Sequence, residues 1–350
     1  MVSGFREPDI RDSLRRSVLL TERLVSIPSV TPGEQEIIAF LEGWCHEHGL
    51  QVARQPVADG RDNLLAWSGQ TPRLWFSTHV DTVPPFIPFS RQDDVLSGRG
   101  TCDTHGGLAC MLTVLEELLA EGVSAGVLLV VGEEVNHAGA RRAGEADPLP
   151  PVTGTRSIIL CEPTEMKLVR AQKGVLKLWL RAEGRAAHSS LPHLGESAIA
   201  TLLDCSRSLL EENWPTDPVL GPTYVNLGRI SGGVAANVIP AEAEGEFCFR
   251  TVREMAWYQA RILALVAGRC RVEFEGAGEP QVFSELPGWP LCVAPFGTDA
   301  EYLRPLGDVY LIGPGRIEMA HRSDESITLD ELQAGLAGYR QLARQLLETH

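Results

Sequence analysis

The sequence is organised by two segments, LWFSTHVDTVP (74–84) and SGRGTCDTHGGLA (97–109). The first is an apolar run of strand length that ends at the pair His79 and Asp81, and the second is a glycine-rich loop that carries Asp103. A histidine, a carboxylate behind it and a second carboxylate are typical ligands of a divalent cation. These segments therefore predict a metal site where a buried strand ends.

Three further apolar runs of strand length, 126–131, 157–161 and 309–312, are each followed by acidic or histidine side chains. Continuous apolar runs of this length indicate strands that are covered on both faces of a parallel sheet. Ligands gather at the carboxyl ends of such strands. We therefore expect these side chains to meet at one edge of the sheet: His79, Asp103, Glu133, Glu134, Glu162 and His321.

The order of predicted elements divides the chain. Residues 174–281 read as strand, helix, strand, strand, helix and strand, which predicts an α+β unit with a four-stranded antiparallel sheet and two helices on one face. Residues 1–173 and 282–350 alternate strands with helices, which predicts an α/β domain with a mostly parallel sheet between helices. The α+β unit is thus an insertion in the α/β domain. One helix of the α/β domain has a predicted capped start at Thr31, Pro32 and Glu34.

The composition disfavours nucleic acids and anionic membranes as partners. A formal charge of −15, from 31 Lys and Arg against 46 Asp and Glu, disfavours binding to nucleic acid and to anionic membranes. No apolar run reaches membrane-spanning length, and residues 1–16 lack the apolar segment of a signal peptide. The eight cysteines form no C-x-x-C pair and several lie in apolar runs. This pattern favours buried, reduced thiols and a cytoplasmic location.

Glu133 and Glu134 are adjacent acids at the end of an apolar run. Taken alone, they fit a solvated strand end as well as a functional site. Hydrolysis at a metal centre needs carboxylates that hold metal and one carboxylate that stays free to take a proton from water. The pair can divide these roles, and the residues leave open which glutamate does which.

Asp103 and Asp81 also have ordinary interpretations. Aspartate is common in turns, but a loop that opens a helix also suits a carboxylate that bridges two cations, and Gly106 and Gly107 permit close backbone approach. Asp81 fits a turn cap, or it orients the His79 imidazole from behind. The residues alone assign no role to five further polar side chains: His105, His137, His188, Asn237 and Arg250.

Seven segments are recognisable together, in this order along nearly the whole chain: STHVDTVP, SGRGTCDTHGGLA, VVGEEVNHAGAR, CEPTEMKL, GRAAHSS, GGVAANVIP and GPGRIEMAH. In combination they resemble the co-catalytic zinc aminoacylase and exopeptidase family. That family includes acetylornithine deacetylase, succinyl-diaminopimelate desuccinylase, aminoacylase and glutamate carboxypeptidase. Each segment alone is weak, but the combination is specific.

The resemblance implies a site for two divalent metal ions, zinc by preference, with cobalt able to substitute. His79 and Glu162 would hold one ion, Glu134 and His321 would hold the other, and Asp103 would bridge them.

The resemblance also implies roles outside the ligand set. Glu133 would be the general base and acid, and Asp81 would be the partner of the ligand imidazole. The inserted domain would be the lid and dimerisation domain of a homodimer, with His188 helping to hold the oxyanion. The substrate carboxylate would be contacted by these residues: Asn237, Arg250, Gly313 and Gly315.

Two segments depart from the pattern of the resembled family. His105 stands where a lysine is common, and VNHAGAR (135–141) replaces a glycine-rich form. Neither change removes a ligand, but both can alter metal preference or substrate fit.

The expected activity is hydrolysis of the amide bond of a small N-acyl amino acid. N-acetylornithine deacetylation in arginine biosynthesis is the first expectation, together with desuccinylation of an N-succinyl amino acid. Two alternatives use the same fold: a dipeptidase, tripeptidase or carboxypeptidase on the same site, and a non-catalytic metal-binding dimeric module. The intact Glu133 favours an enzyme over the last of these.

Overall fold

The structure is a computed structural model that describes residues 9–58 and 60–348. The chain divides into two compact units. The first comprises Met1–Val169, Phe283–Cys292 and Thr298–His350, and the second comprises Arg170–Val282 and Val293–Gly297. The first eight residues, on which half of the signal-peptide expectation rests, lie outside the described residues.

The first unit is built on a six-stranded mixed sheet. Its central strand, Leu74–His79, pairs in parallel with Ala125–Val130 on one side and with Ser157–Leu160 on the other. The strand Asp308–Leu311 extends the parallel part. Two antiparallel strands complete the opposite edge: Arg61–Trp67 and Gln51–Ala58. The mostly parallel sheet confirms the predicted α/β class.

The central strands are covered on both faces. Every residue of Leu74–His79 and of Ala125–Val130 is buried, so neither face of these strands meets water. Phe76, Leu112 and Tyr339 belong to one hydrophobic cluster that joins the sheet to its helices. The helices of this unit are Ile10–Val25, Gln35–Glu47, Gly106–Ala120, Ala138–Ala146, Ala300–Leu303 and Leu329–Glu348, with the single turn Glu133–Asn136.

The helix predicted to start near Thr31 begins later in the chain. It spans Gln35–Glu47, and its N-cap residue Glu34 makes no side-chain capping bond. The Thr31 hydroxyl instead donates to Asp81 Oδ2 at 2.7 Å, and the Glu34 carboxylate pairs with the Arg61 guanidinium. The capping prediction was wrong because tertiary contacts use both side chains.

The second unit contains a four-stranded antiparallel sheet with the spatial order Tyr224–Gly232, Glu242–Thr251, Gly174–Glu183 and Arg271–Gly278. Burial alternates along the two central strands, so one face of the sheet lies in a core and the other does not. Helices Ala198–Leu210 and Met255–Val266 pack on the buried face. The α+β composition and the two helices on one face agree with the sequence.

Short elements complete the chain. The remaining strands are Ser90–Gln92, Val95–Ser97, Leu168–Gln172, Ala187–His188, Thr216–Asp217, Gly221–Pro222, Val238–Ile239, Gln281–Val282, Leu291–Ala294 and Ser326–Thr328. The remaining helical turns are Thr101–His105, Pro192–Leu194, Arg304–Leu306 and Ile317–Met319. Within residues 9–58 and 60–348, no helix combines the length and apolarity that crossing a membrane requires. All eight cysteines are free thiols, as expected, and most of them are buried.

Candidate metal centre

One donor cluster lies where the central strands of the first unit end. His79 is the last residue of its strand, Glu162 follows the strand Ser157–Leu160, and Asp103 lies in the loop that opens the helix Gly106–Ala120. Their donor atoms all lie within 4.8 Å of one another, and all three side chains are buried. His79 Nε2 is 3.2 Å from Asp103 Oδ1. The three residues thus form a compact set of one nitrogen donor and two carboxylates.

A second donor cluster shares Asp103 with the first and adds Glu134 and His321. His321 Nε2 lies 3.0 Å from Glu134 Oε2 and 3.4 Å from Asp103 Oδ2. Hydrogen bonds to these two carboxylates raise the pKa of His321 to about 10. Burial disfavours ionisation of Asp103, but its hydrogen bonds with the two imidazoles lower the pKa of Asp103 below its usual value. The shared carboxylate therefore stays ionised between two histidines.

The two clusters fit a pair of divalent cations. Glu162 Oε1 is buried and has no hydrogen-bond partner among the residues that the structure describes. Burial and the nearby charges of Asp103 and Glu133 raise the pKa of Glu162 well above its usual value. A buried carboxylate is costly without a counter-charge, and the ion-pair partners of Asp103 and Glu134 among the described residues are histidines. Imidazole nitrogen and carboxylate oxygen are donors that zinc accepts.

Asp81 supports the site in a way that differs from the expectation. Its Oδ1 accepts the N–H of Glu133 at 3.0 Å and its Oδ2 accepts the N–H of Glu134 at 3.2 Å. His79 Nδ1 lies 2.9 Å from the main-chain oxygen of Asp81 and 3.7 Å from its carboxylate. The expected hydrogen bond between the Asp81 carboxylate and the imidazole is therefore not present. The carboxylate caps the turn that carries both glutamates, while the carbonyl orients the ring.

Glu133 lies beside the two clusters and belongs to neither of them. Burial, together with the charges of Asp299 and Glu134, raises the pKa of Glu133 to about 8. Its Oε1 is 3.5 Å from His137 Nδ1, which in turn lies 3.0 Å from Asp299 Oδ1. Burial lowers the pKa of His137, but the hydrogen bond and charge of Asp299 outweigh burial and raise it to about 9. Asp299 was not predicted as a site residue, because nothing in the sequence around it marks a strand end.

Glu325 is a second residue that the sequence analysis missed. This buried carboxylate accepts the main-chain N–H groups of Gly100, Cys102 and Asp103 through Oε1, at 3.0, 3.1 and 3.2 Å. Its Oε2 lies 2.6 Å from Arg99 Nη1. Glu325 therefore holds the loop that presents Asp103. Its place just after the predicted ligand His321 was the available signal.

His105 is buried behind the site and makes a main-chain contact. Its Nε2 lies 3.1 Å from the carbonyl oxygen of Val80, and burial lowers the pKa of His105 to about 4. Gly100 is required beside it, because a Cβ there would lie 2.7 Å from His105 Nδ1 and the Gly100 φ angle is +89°. The position where the resembled family commonly has a charged lysine therefore carries a neutral imidazole.

Gly313 and Gly315 lie in a loop that is bonded to a neighbouring segment of the first unit. The Gly313 N–H donates to Thr164 Oγ1 at 3.0 Å, and its carbonyl accepts the N–H groups of Thr164 and Met166. The Gly315 carbonyl accepts the N–H of Glu165. The Gly313 N–H is thus already used, which does not agree with the expected backbone contact to substrate; the expectation for Gly315 stays a prediction.

His188, Asn237 and Arg250 all lie in the second unit. His188 pairs with Val238 across a short ladder, and the N–H of Ser189 donates to the Asn237 carbonyl at 3.0 Å, so His188 and Asn237 are neighbours. Arg250 alternates with the core residues of its strand, which places it on the sheet face without helices. Their expected contacts with substrate stay predictions.

Comparison with known proteins agrees with this architecture. Residues 170–272 match the peptidase dimerisation domain of the M20 family. A tripeptidase from Staphylococcus aureus superposes with a TM-score of 0.79 at 20% identity, covering 95% of this chain and 99% of that one. An M20 family metallo-carboxypeptidase from Sulfolobus solfataricus superposes with a TM-score of 0.75 at 14% identity, covering 94% and 98%. At these identities the two structures establish the fold.

The amino-acid sequence extends the likeness to the family. The chain is 33% identical to a probable carboxypeptidase of Aspergillus fumigatus, across 98% of this chain and 90% of the relative. Identity at this level over nearly the whole of both chains, with the matched dimerisation domain, identifies the protein as a hydrolase. This chain belongs to the M20 family of metallopeptidases.

Proposed function

We propose that this protein is a metal-dependent exopeptidase of the carboxypeptidase type, which hydrolyses the last peptide bond of a short peptide. The observation that carries this proposal is a pair of donor clusters that share Asp103 and lie beside a partly buried carboxylate, Glu133, that belongs to neither. N-acetylornithine deacetylation was the first expectation from the sequence. The names of the similar proteins give more support to its stated alternative, peptide hydrolysis.

We assign the metal ligands as the resemblance implied them. His79 and Glu162 would hold one ion, Glu134 and His321 would hold the other, and Asp103 would lie between them. Two zinc ions bound there would polarise the scissile carbonyl and make water more acidic. The mixed nitrogen and oxygen donors support zinc, and cobalt can take the same donors.

Glu133 carries the proton transfers in this mechanism. Its carboxylate takes a proton from the attacking water and returns it to the leaving amine. Burial keeps the pKa of Glu133 raised, which makes it a stronger base than an exposed carboxylate. The Asp81 carboxylate fixes the turn on which Glu133 and Glu134 lie, so the proton carrier and a metal ligand are held in one register.

His188 has the tautomer that an oxyanion donor needs. Its Nδ1 lies 3.2 Å from the main-chain nitrogen of Ser190, and a main-chain N–H can only donate. Nδ1 is therefore the acceptor, and the proton of the neutral imidazole is on Nε2. We assign Nε2 to the developing oxyanion. We assign the substrate carboxylate to Asn237, Arg250 and the main chain at Gly315.

A second candidate activity is deacylation of an N-acyl amino acid. The segments CEPTEMKLVRAQKG and VYLIGPGRIEMAHRSDESITLDEL, which carry Glu162 and His321, resemble the biosynthetic deacylases. Both activities require a free carboxylate next to the cleaved amide, so the same site serves either. They differ in the group on the acyl side of that amide.

The test is a substrate series given to purified protein before and after chelation, with zinc or cobalt added back. The series contains dipeptides, tripeptides, the same peptides with a C-terminal amide, N-acetylornithine and an N-succinyl amino acid. Metal-restored cleavage of free peptides, with no cleavage of the amidated forms, supports the proposal. Cleavage of N-acyl substrates alone supports the deacylase. Absence of all cleavage with two ions bound rejects both and supports a binding module.

We also propose a homodimeric assembly and a cytoplasmic location. The match to a peptidase dimerisation domain supports a homodimer formed through the second unit, which light scattering tests directly. The free cysteines support a reducing compartment, the cytoplasm.

A further inference from the structure

Three side chains beside the two donor clusters form a third set. The imidazole of His137 lies between two carboxylates, with Nδ1 3.0 Å from Asp299 Oδ1 and 3.5 Å from Glu133 Oε1. The donor atoms of all three residues lie within 4.8 Å of one another. Asp299 is buried, while the other two side chains are partly open to solvent. The set is therefore enclosed on the Asp299 side and reachable from the other.

The charges of this third set are not balanced by fixed cations. In the described part of the chain, Asp299 Oδ2 is buried and has no hydrogen-bond partner. The ion-pair partner of Asp299 and of Glu133 in that part of the chain is a histidine, His137, and no lysine or arginine side chain pairs with either. An unpaired buried carboxylate oxygen is unfavourable unless a proton or a cation satisfies it.

We propose that Glu133, His137 and Asp299 form a third metal site that takes zinc, and that zinc bound there inhibits the enzyme. Imidazole nitrogen and carboxylate oxygen are both donors that zinc accepts in proteins. Zinc at this site engages the Glu133 carboxylate and denies it the proton that it must accept. The inhibitory effect rests on the proposed function, since it requires Glu133 to be the general base.

The nitrogen donor of the proposed third site comes from a segment in which this chain departs from the resembled family. His137 lies in VNHAGAR (135–141), one of the two segments that depart from the common glycine-rich form. A glycine in place of His137 would leave two carboxylates and no nitrogen donor. His137 thus adds a nitrogen donor to the proposed catalytic base, Glu133, and its acidic neighbour Asp299, which makes a set of three donors.

The experiment compares three proteins: the wild type, His137→Gln, and the matched control His46→Gln, which changes an exposed histidine on the helix Gln35–Glu47. Each is stripped of metal and titrated with zinc alone, and the bound equivalents are measured by calorimetry and elemental analysis. Peptide hydrolysis is then measured at two equivalents and in excess zinc. The ratio of the two rates is taken within each protein, so a change in basal rate does not matter.

The wild type and His46→Gln are expected to bind a third, weaker equivalent and to lose activity in excess zinc. His137→Gln is expected to bind two equivalents and to keep its rate. Asp299→Asn, which keeps the shape of the side chain, is expected to behave like His137→Gln. It provides an independent test if His137→Gln does not fold. Circular dichroism checks each fold.

Binding of only two equivalents by the wild type, or a third equivalent that survives in His137→Gln, overturns the site. A third equivalent that leaves the rate unchanged overturns the inhibition. The number of bound zinc equivalents is measured without substrate. A protein that binds the third equivalent through His137 but cleaves nothing at two equivalents therefore supports the site and refutes the proposed function.

Discussion

The sheet edge of the first unit that carries the two donor clusters and the helix-free sheet face of the second unit are both rich in charged side chains, but these charges are balanced differently. On the second unit, Arg181 pairs with Glu244 and with Glu273, and these side chains are 30–43% exposed. On the first unit, His79 and Glu162 are at most 5% exposed, and the ion pairs of their cluster in the described part of the chain join histidines to carboxylates. Exposed charges are balanced by neighbours and water, whereas buried carboxylates are costly unless a cation or a proton balances them.

The largest expected effect comes from Glu133→Gln. Glutamine keeps the shape of the side chain but cannot take a proton, so kcat for peptide hydrolysis should fall by about 10²- to 10⁴-fold. The two ions of the Asp103-sharing clusters should stay bound, because Glu133 is outside both of these clusters. The matched control is Glu244→Gln, the same substitution on the exposed sheet face, which should leave kcat unchanged. A near-normal rate in Glu133→Gln would refute the mechanism.

The next effect concerns the support of Asp103. Glu325→Ala removes the acceptor of three main-chain N–H groups in the Asp103 loop, so zinc affinity should fall by about 10- to 100-fold. Competition with a chromophoric chelator measures the loss. Glu325→Gln keeps an oxygen acceptor but loses the charge opposite Arg99, and should lie between the wild type and Glu325→Ala. Unchanged affinity in Glu325→Ala would contradict a positioning role.

The next effect is the pH dependence of the stability of the first unit. His321 and His137 have native pKa values of about 10 and about 9, above the unfolded value of 6.5, and Glu133 has a native value of about 8 against 4.5. Each native group holds its proton more tightly than its unfolded counterpart, so the stability that it contributes is lost as pH rises through these values.

Thermal melts of the metal-free protein at different pH values test this. The melting temperature should fall between about pH 7 and pH 10, and bound zinc should flatten the curve because the ions replace the protons as counter-charge. A metal-free melting temperature that rises with pH over this range is incompatible with the predicted sign.

The smallest expected effect lies on the second unit. Arg181→Gln breaks the ion pairs with Glu244 and Glu273, yet the melting temperature should hardly change, because exposed ion pairs contribute little and are screened by salt. A melt in low and high salt is the measurement. A large loss would mean that this face is covered in the assembled protein.

Much of the site was predictable because parallel strands obey a simple rule. The apolar runs ending at His79, Glu134 and Glu162 had to become neighbouring buried strands, and polar residues that follow such strands meet at one edge. Asp299 and Glu325 were missed for the opposite reason. Each follows a loop or turn, where local sequence does not determine which distant group it will contact.

The hydrogen-bond roles were also beyond the sequence. Thr31 read as a helix cap and Asp81 as a partner of the imidazole, yet the Thr31 hydroxyl bonds the Asp81 carboxylate, which caps the turn of Glu133 and Glu134. Short polar side chains have several acceptors and donors within reach. Only the folded chain selects among them.

By itself, the sequence determined the α/β class, the inserted α+β unit and the residues that follow the central strands, because hydrophobic periodicity is a local property of the chain. The tertiary structure alone decided that Glu325 holds the loop of Asp103 and that His137 lies between Glu133 and Asp299. Those relations join residues far apart in sequence, and they exist only once the buried sheet has brought its loops together.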